Sequence, residues 1–370
     1  MNHKEILKRA WSILWSYKTL WVFGIILGLT TASGGQRLFN YTSDKPNRVS
    51  QTTPEFSGKS FQEVFEDASK EFEKLFTEVI PEEWVRTAII IGITLGCLIL
   101  LLIIASTIFR YLSRTSLIRM VDDYEETDTK ASIRQGFRMG WSRKAWRLFL
   151  IDLLIWIPVI AAFIILFLII LAPLLFWATD SMAAGILGSV LTIGLFVLGV
   201  FLAIAVIAVL RLLLEFFWRA AVLEDLGVVD AIKYGFGLVR ENLAGVGLMW
   251  LIVLGINIGY TIIMIPVVIL ILLTAGVISG VIGLIAAGTI GLLTSPLVVG
   301  LVVGSPIFIL LMIIPLAFVE GLRQTYLSST WTLTFRELRT LEKLMPHLDD
   351  SESELEMGET TNEEPAPTEE

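Results

Sequence analysis

Four stretches of this chain contain no charged residue: 87–109, 153–179, 181–210 and 242–319. Each is longer than the ~20 apolar residues that carry a helix across the hydrocarbon core of a bilayer. With 55% hydrophobic and 17% charged residues and a mean hydropathy of +0.75, the chain is too apolar for a soluble fold of 370 residues. The fold class expected is all-α, a polytopic helical membrane protein.

Charge sets the number of crossings, because short cytoplasmic segments carry an excess of Lys and Arg. The N-terminus has Lys4, Lys8, Arg9 and Lys18 against Glu5, and reads as inside. Residues 110–147 hold nine basic side chains against five acids, the strongest inside signal in the chain. Residues 33–86, with seven basic and ten acidic side chains, suit an outside loop, and Arg323, Arg336, Arg339 and Lys343 return the chain to the inside. Both termini inside require an even count, so six spans are expected, near 17–33, 87–109, 150–173, 185–210, 246–271 and 298–320. Residues 272–297 then form an outer connection, with a re-entrant segment or an extra span as the alternatives; irregular backbone there would survive at membrane depth only if protein buried it. Gly276/Gly280 and Gly300/Gly304 offer close helix contact. Residues 20–32 also read as the apolar part of a signal peptide ending at "TTA", but a threefold repeat that includes this segment argues for its retention.

The net charge of -8 belongs to the tail, whose ten acids and no bases after Met345 leave the remainder at +2. Its low hydrophobicity predicts a disordered, solvated extension over 346–370, following a membrane domain over 1–345. Within the outer loop, 34–86, Phe61, Val64, Phe65, Phe72, Leu75, Phe76 and Ile80 recur at helical spacing, predicting an amphipathic helix over 61–80.

A pattern of aliphatic, basic, variable, small and aromatic residues occurs three times: Leu7-Lys8-Arg9-Ala10-Trp11, Ile133-Arg134-Gln135-Gly136-Phe137 and Ile232-Lys233-Tyr234-Gly235-Phe236. The first two copies agree further at Trp15/Trp141, Ser16/Ser142 and Lys18/Lys144. On a helix the aromatic and aliphatic residues share one face and the cations another. Such a helix is stable in the headgroup layer, its rings at the interface and its cations on anionic lipid. Lys8, Trp11, Trp15, Arg134, Phe137, Trp141, Lys233 and Phe236 are therefore the candidate membrane-interface residues. The spacing from Arg110 to Ile133 and from Arg211 to Ile232, 23 and 21 residues, repeats as well. The predicted unit is an interfacial amphipathic helix followed by a helical hairpin, three times over.

These lead-in helices, with "EFFWRAAVLEDLGVVDAIKYGFGLVREN" at 215–242 and "YLSSTWTLTFREL" at 326–338, resemble those of uncharacterised prokaryotic six-span proteins. That group is similar to the membrane domain sometimes joined to glycerophosphodiester phosphodiesterases. The resemblance covers most of residues 1–345 and implies no catalytic residue, because the phosphodiesterase barrel is a separate domain and is absent here.

Acid–base or metal chemistry has little to work with, since the only histidines are His3 and His347 and the only cysteine, Cys97, lies in an apolar run. No catalytic residue, cofactor or metal site is expected. Intramembrane polar groups are candidate sites: Asp152, an ion-path residue or an interfacial carboxylate paired with an arginine such as Arg143 or Arg147, and Asn257, which with Tyr260 and Thr261 forms a polar patch. The function expected is that of a non-enzymatic accessory, scaffold or lipid-interacting protein of the cell membrane, with membrane lipid as partner, no nucleic acid, and both termini cytoplasmic. The alternative is a small-molecule or ion transporter or channel, which would require a continuous polar cavity containing Asp152 or Asn257.

Overall fold

The computed structural model describes residues 2–30, 82–178, 181–289 and 296–360. The helix expected over 61–80 and residues 361–370 lie outside them. Nine α-helices form among the described residues: α1 (His3–Ser16), α2 (Thr19–Thr30), α3 (Glu82–Thr127), α4 (Ile133–Gly140), α5 (Arg143–Leu171), α6 (Met182–Leu223), α7 (Val228–Glu241), α8 (Leu243–Thr289) and α9 (Pro296–Thr360). A 3-10 segment, Ala172–Ala178, joins α5 towards α6, and no strand occurs among these residues. Five helices are long and apolar enough to cross a membrane, and the α1–α2 pair, bent by 102°, makes six if taken as one span. The chain is thus a polytopic helical membrane protein in which α1, α4 and α7 each precede two apolar helices.

Two units divide the chain, one of Met1–Gly34 with Arg110–Glu370 and one of Gly35–Phe109. Of the second, the structure describes the first part of α3, an unbroken apolar helix with exposed side chains over 90–104. The packed core, the cavity and the amphipathic helices all belong to the first unit.

The helices outrun the spans drawn from charge. The expected outer connection at 272–297 is helical as far as Thr289, because α8 runs uninterrupted from Leu243. An isolated Gly costs a helix about 1 kcal/mol, whereas a backbone amide left unbonded in lipid costs several. One of the two expected glycine pairs makes the contact: Gly300 and Gly304 of α9 face Gly283 and Ser279 of α8, a Cβ at Gly283 standing 2.8 Å from the Gly300 carbonyl oxygen, whereas Gly276 and Gly280 face open space. A second Gly-x-x-x-Gly pair, Gly24 and Gly28 of α2, packs on α9 at Glu320 and Gly321, where the Thr325 hydroxyl donates to the Leu20 carbonyl at 3.3 Å. At its far end α9 continues to Thr360, through part of the tail expected to be disordered, where Glu, Leu and Met are all good helix formers.

The core lies at the end of the unit that carries the amphipathic helices. There Tyr17, Phe23, Ile118, Met120, Ile151, Phe216, Met249 and Phe335 are all but inaccessible. Side chains farther along α5, α6 and α8, such as Ile164, Phe201 and Leu270, are exposed. The α1–α2 corner is anchored by the Tyr17 hydroxyl donating to the Ala131 carbonyl at 3.1 Å and the Trp21 indole N–H donating to the Leu14 carbonyl at 2.7 Å.

Packing explains the repeated pattern. Its small residue is the one buried against the bundle in all three copies: Ala10, Gly136 and Gly235. A Cβ at Gly136 would lie 2.6 Å from Met120 Sδ and from the Phe23 ring, and one at Gly235 would lie 2.7 Å from Phe217 Cδ1 and 3.3 Å from the Phe216 backbone. The apolar face expected to meet lipid is therefore divided. Ile6, Ala10, Ile13 and Leu14 of α1 and Ala231, Leu238 and Val239 of α7 turn to protein, and Trp11, Trp15 and Phe236 stay exposed. Two of the turns that lead to these helices hold an aspartate in the left-handed region, Asp128 after α3 at φ 52° and Asp225 after α6 at φ 55°; Asp is among the few residues with a side chain that tolerate it.

Two alanine substitutions in α7 separate docking from helix propensity. Gly235→Ala should lower the midpoint of thermal unfolding in detergent, by overpacking worth about 1–3 kcal/mol. Gly237→Ala, whose Cβ would meet nothing within 4 Å, should leave it unchanged or raise it by up to about 1 kcal/mol. Equal effects would mean that α7 does not dock through Gly235.

Candidate functional site

Three helices bring their charged residues together at the packed end. On α6, Arg211, Glu215 and Arg219 follow at intervals of four and so share one face. Arg219 is 1% exposed. Its Nη1 donates to Glu215 Oε2 at 2.7 Å, its Nη2 to the Ser328 carbonyl at 3.0 Å and its Nε to Thr332 Oγ1 at 3.3 Å, tying α6 to α9. The receiving stretch of α9 holds the buried residues Thr325, Ser329, Thr330, Thr332 and Thr334. Each of these hydroxyls donates to the carbonyl four residues earlier, and two of them also reach another helix, Thr325 towards the Leu20 carbonyl and Thr332 by accepting from Arg219.

Asp152 is 5% exposed. It accepts from the Tyr111 hydroxyl at 2.6 Å and from the Trp218 indole N–H at 2.8 Å, with Arg110 Nη2 at 3.7 Å. Its arginine is therefore Arg110 of α3, and Arg147 turns instead to Asp225, 2.6 Å away. Lys144 first, then Arg147, hold the Asp225 carboxyl below the usual carboxylate range. The Trp218 ring serves two groups, since its N–H meets Asp152 and its face covers the Arg114 guanidinium at 3.6 Å. Asn257 accepts from Arg323 Nη1 at 2.7 Å and donates to the Val253 carbonyl at 2.8 Å. Arg323 also pairs with Glu320, which takes a further hydrogen bond from the Tyr260 hydroxyl at 3.3 Å. The polar patch read from Asn257, Tyr260 and Thr261 is thus an interhelical network, with Thr261 bonding back to the Asn257 carbonyl.

Between these groups lies a cavity of about 190 Å³. Arg114, Arg211, Glu215, Arg219, Asn257 and Gln324 supply polar groups to its wall, and Leu27, Trp250, Val253 and Trp331 supply apolar ones. Asn257 belongs to the cavity and Asp152 does not. Of the candidate interface residues, Lys8, Trp11, Trp15, Arg134, Trp141, Lys233 and Phe236 are exposed. Phe137 is half-buried and stacks on Phe23 with ring centroids 5.0 Å apart. Trp11, Trp15, Trp21 and Phe318 form a line of edge-to-face contacts around the α1–α2 corner.

Sequence reasoning did not single out Arg114, Glu215 or Arg219. The signal was present in "EFFWRAAVL" (215–223), where an arginine stands among residues that would otherwise be core, so that burial demanded acceptors on other helices.

Asp152→Asn should lower the thermal unfolding midpoint, because an amide cannot accept from both Tyr111 and Trp218 without turning its NH₂ towards one of them. A buried donor left unpaired costs about 1–3 kcal/mol. An unchanged midpoint would assign Asp152 no part in holding α3, α5 and α6 together.

A family model matches residues 8–338; its description is "Family of unknown function (DUF7544)". No curated protein and no solved structure matches the chain.

Proposed function

The chain belongs to DUF7544, a family of unknown function, and we propose that within it this protein is a non-enzymatic, lipid-interacting accessory or scaffold protein. The observation that carries the reading is the exposed rim of the packed end. Trp11, Trp15, Trp141 and Trp146 are 47–72% exposed there, on the same lead-in segments as the exposed cations Lys8, Arg134 and Arg138. Tryptophans with one polar edge settle at the membrane–water interface, and cations beside them meet anionic headgroups. The cytoplasmic membrane, with both termini in the cytoplasm, is the setting proposed from the Lys and Arg excess of 110–147 and of the two ends. The likeness of the lead-in helices to a membrane domain joined to phosphodiesterases agrees with a membrane role that carries no chemistry of its own.

Transport is the less supported reading. It needs a polar route beyond Asn257, yet the next groove along α8 and α9 is walled largely by Gly280, Gly283, Leu284, Leu301 and Phe308.

Replacing Lys8, Arg134 and Arg138 together by Gln tests the proposal in vesicles of mixed phosphatidylglycerol and phosphatidylcholine. Each cation near an anionic surface is worth about 1 kcal/mol, so losing three should lower the preference for phosphatidylglycerol around the protein on the order of 100-fold. These side chains are exposed, so folding should persist. A preference as strong as that of the unmodified protein would remove the lipid-interaction reading.

A further inference from the structure

The cavity at the packed end is separate from the exposed rim on which the lipid reading rests, and its charges do not balance. Three arginines, Arg114, Arg211 and Arg219, face one acid, Glu215. Arg219 is satisfied by Glu215, Ser328 and Thr332. Arg114 is not: its Nη1 is sealed from solvent and has no hydrogen-bond partner, while Trp218 covers the guanidinium face. Arg211 has neither a hydrogen-bond nor an ion-pair partner among the described residues. The neighbouring acids are engaged elsewhere, Asp152 with Tyr111 and Trp218, and Glu320 with Arg323 and Gln324. A buried donor without an acceptor is costly, and arginine forks match the tetrahedral oxygens of phosphate better than any other side chain does.

We infer that this cavity is a binding site for a phosphate-bearing anion, held between Arg114 and Arg211. At about 30 Å³ for each water, its 190 Å³ equals the space of about six waters, enough for one phosphate group with part of its hydration. The depth is that of lipid phosphates. Residues 181–210 carry no charge, and as a helix these 30 residues rise about 45 Å, the thickness of a bilayer with its headgroups, so that Arg211 arrives in the opposite headgroup layer. The shared chemistry is a phosphate with at least one negative charge, supplied either by a lipid headgroup or by the free ion.

The test uses the full chain, delipidated in a neutral detergent. It is titrated separately with inorganic phosphate, with short-chain phosphatidylglycerol and with chloride at equal ionic strength, and the thermal unfolding midpoint is followed. A ligand of the folded state raises that midpoint with concentration. A rise with phosphatidylglycerol alone identifies a lipid headgroup as the source, and a rise with both identifies a site open to the free ion; either supports the inference. Arg211→Gln, at an exposed and unpartnered position, should leave the ligand-free midpoint unchanged and weaken the response about tenfold or more. The triple Gln variant at Lys8, Arg134 and Arg138 should keep the response. No rise above that given by chloride, an undiminished response in Arg211→Gln, or loss of the response in the triple variant would each overturn the cavity site. The vesicle measurement judges the rim independently, so either reading can fail alone.

Discussion

A guanidinium taken out of water must be met by acceptors, and at Arg219 the groups that meet it come from two different repeats. Glu215 lies on the same helix, whereas Ser328 and Thr332 belong to α9. The same constraint places Asp152, whose donors come from α3 and α6. Each ion stays buried only while its neighbours hold their places, so these contacts specify how the helices register at this end. Breaking such a pair exposes a lone buried charge and costs several kcal/mol, far more than a surface pair contributes.

The location of the core follows from the solvent. In hydrocarbon an apolar side chain gains little by leaving lipid for protein, so helices there associate through small residues and hydrogen bonds. The α8–α9 contact at Gly283 and the α2–α9 contact at Gly24 are of this type. Where the helices leave the hydrocarbon, water returns and apolar burial becomes favourable again. Phe216, Trp331 and Phe335 pack against one another at that level, and Tyr234 of α7 joins them through Phe335.

The helical membrane class and the threefold plan were legible in the sequence because both rest on long-range regularity: charge-free runs, and a pattern recurring about every hundred residues. The role of the small residue in that pattern was not, because Ala10, Gly136 and Gly235 matter through what faces them. Helix ends depart from the charge-drawn spans for a related reason. A charge marks the edge of a span when water must solvate it, but Arg219 is met by acceptors inside the bundle and Arg114 is covered by the Trp218 ring, and α3 and α6 run on past them. The cavity was hidden for the same cause: Arg114, Arg211, Asn257 and Gln324 come from four separate places in the chain. The left-handed turns at Asp128 and Asp225 lie beside acidic runs, whose charge is plain in the sequence and whose backbone geometry is not.

The contact between α2 and α9 sets an order on biogenesis. Leu20 and Thr325 are hydrogen-bonded across 305 residues, and the backbone nitrogen of Asn2 donates to Glu337 across 335. At synthesis rates of about 5–20 residues per second, α2 waits roughly 15–60 s before its partner exists. Through that interval the glycine face of α2 has no α9 to lie against, so α2 should be exposed to quality-control proteases until α9 arrives.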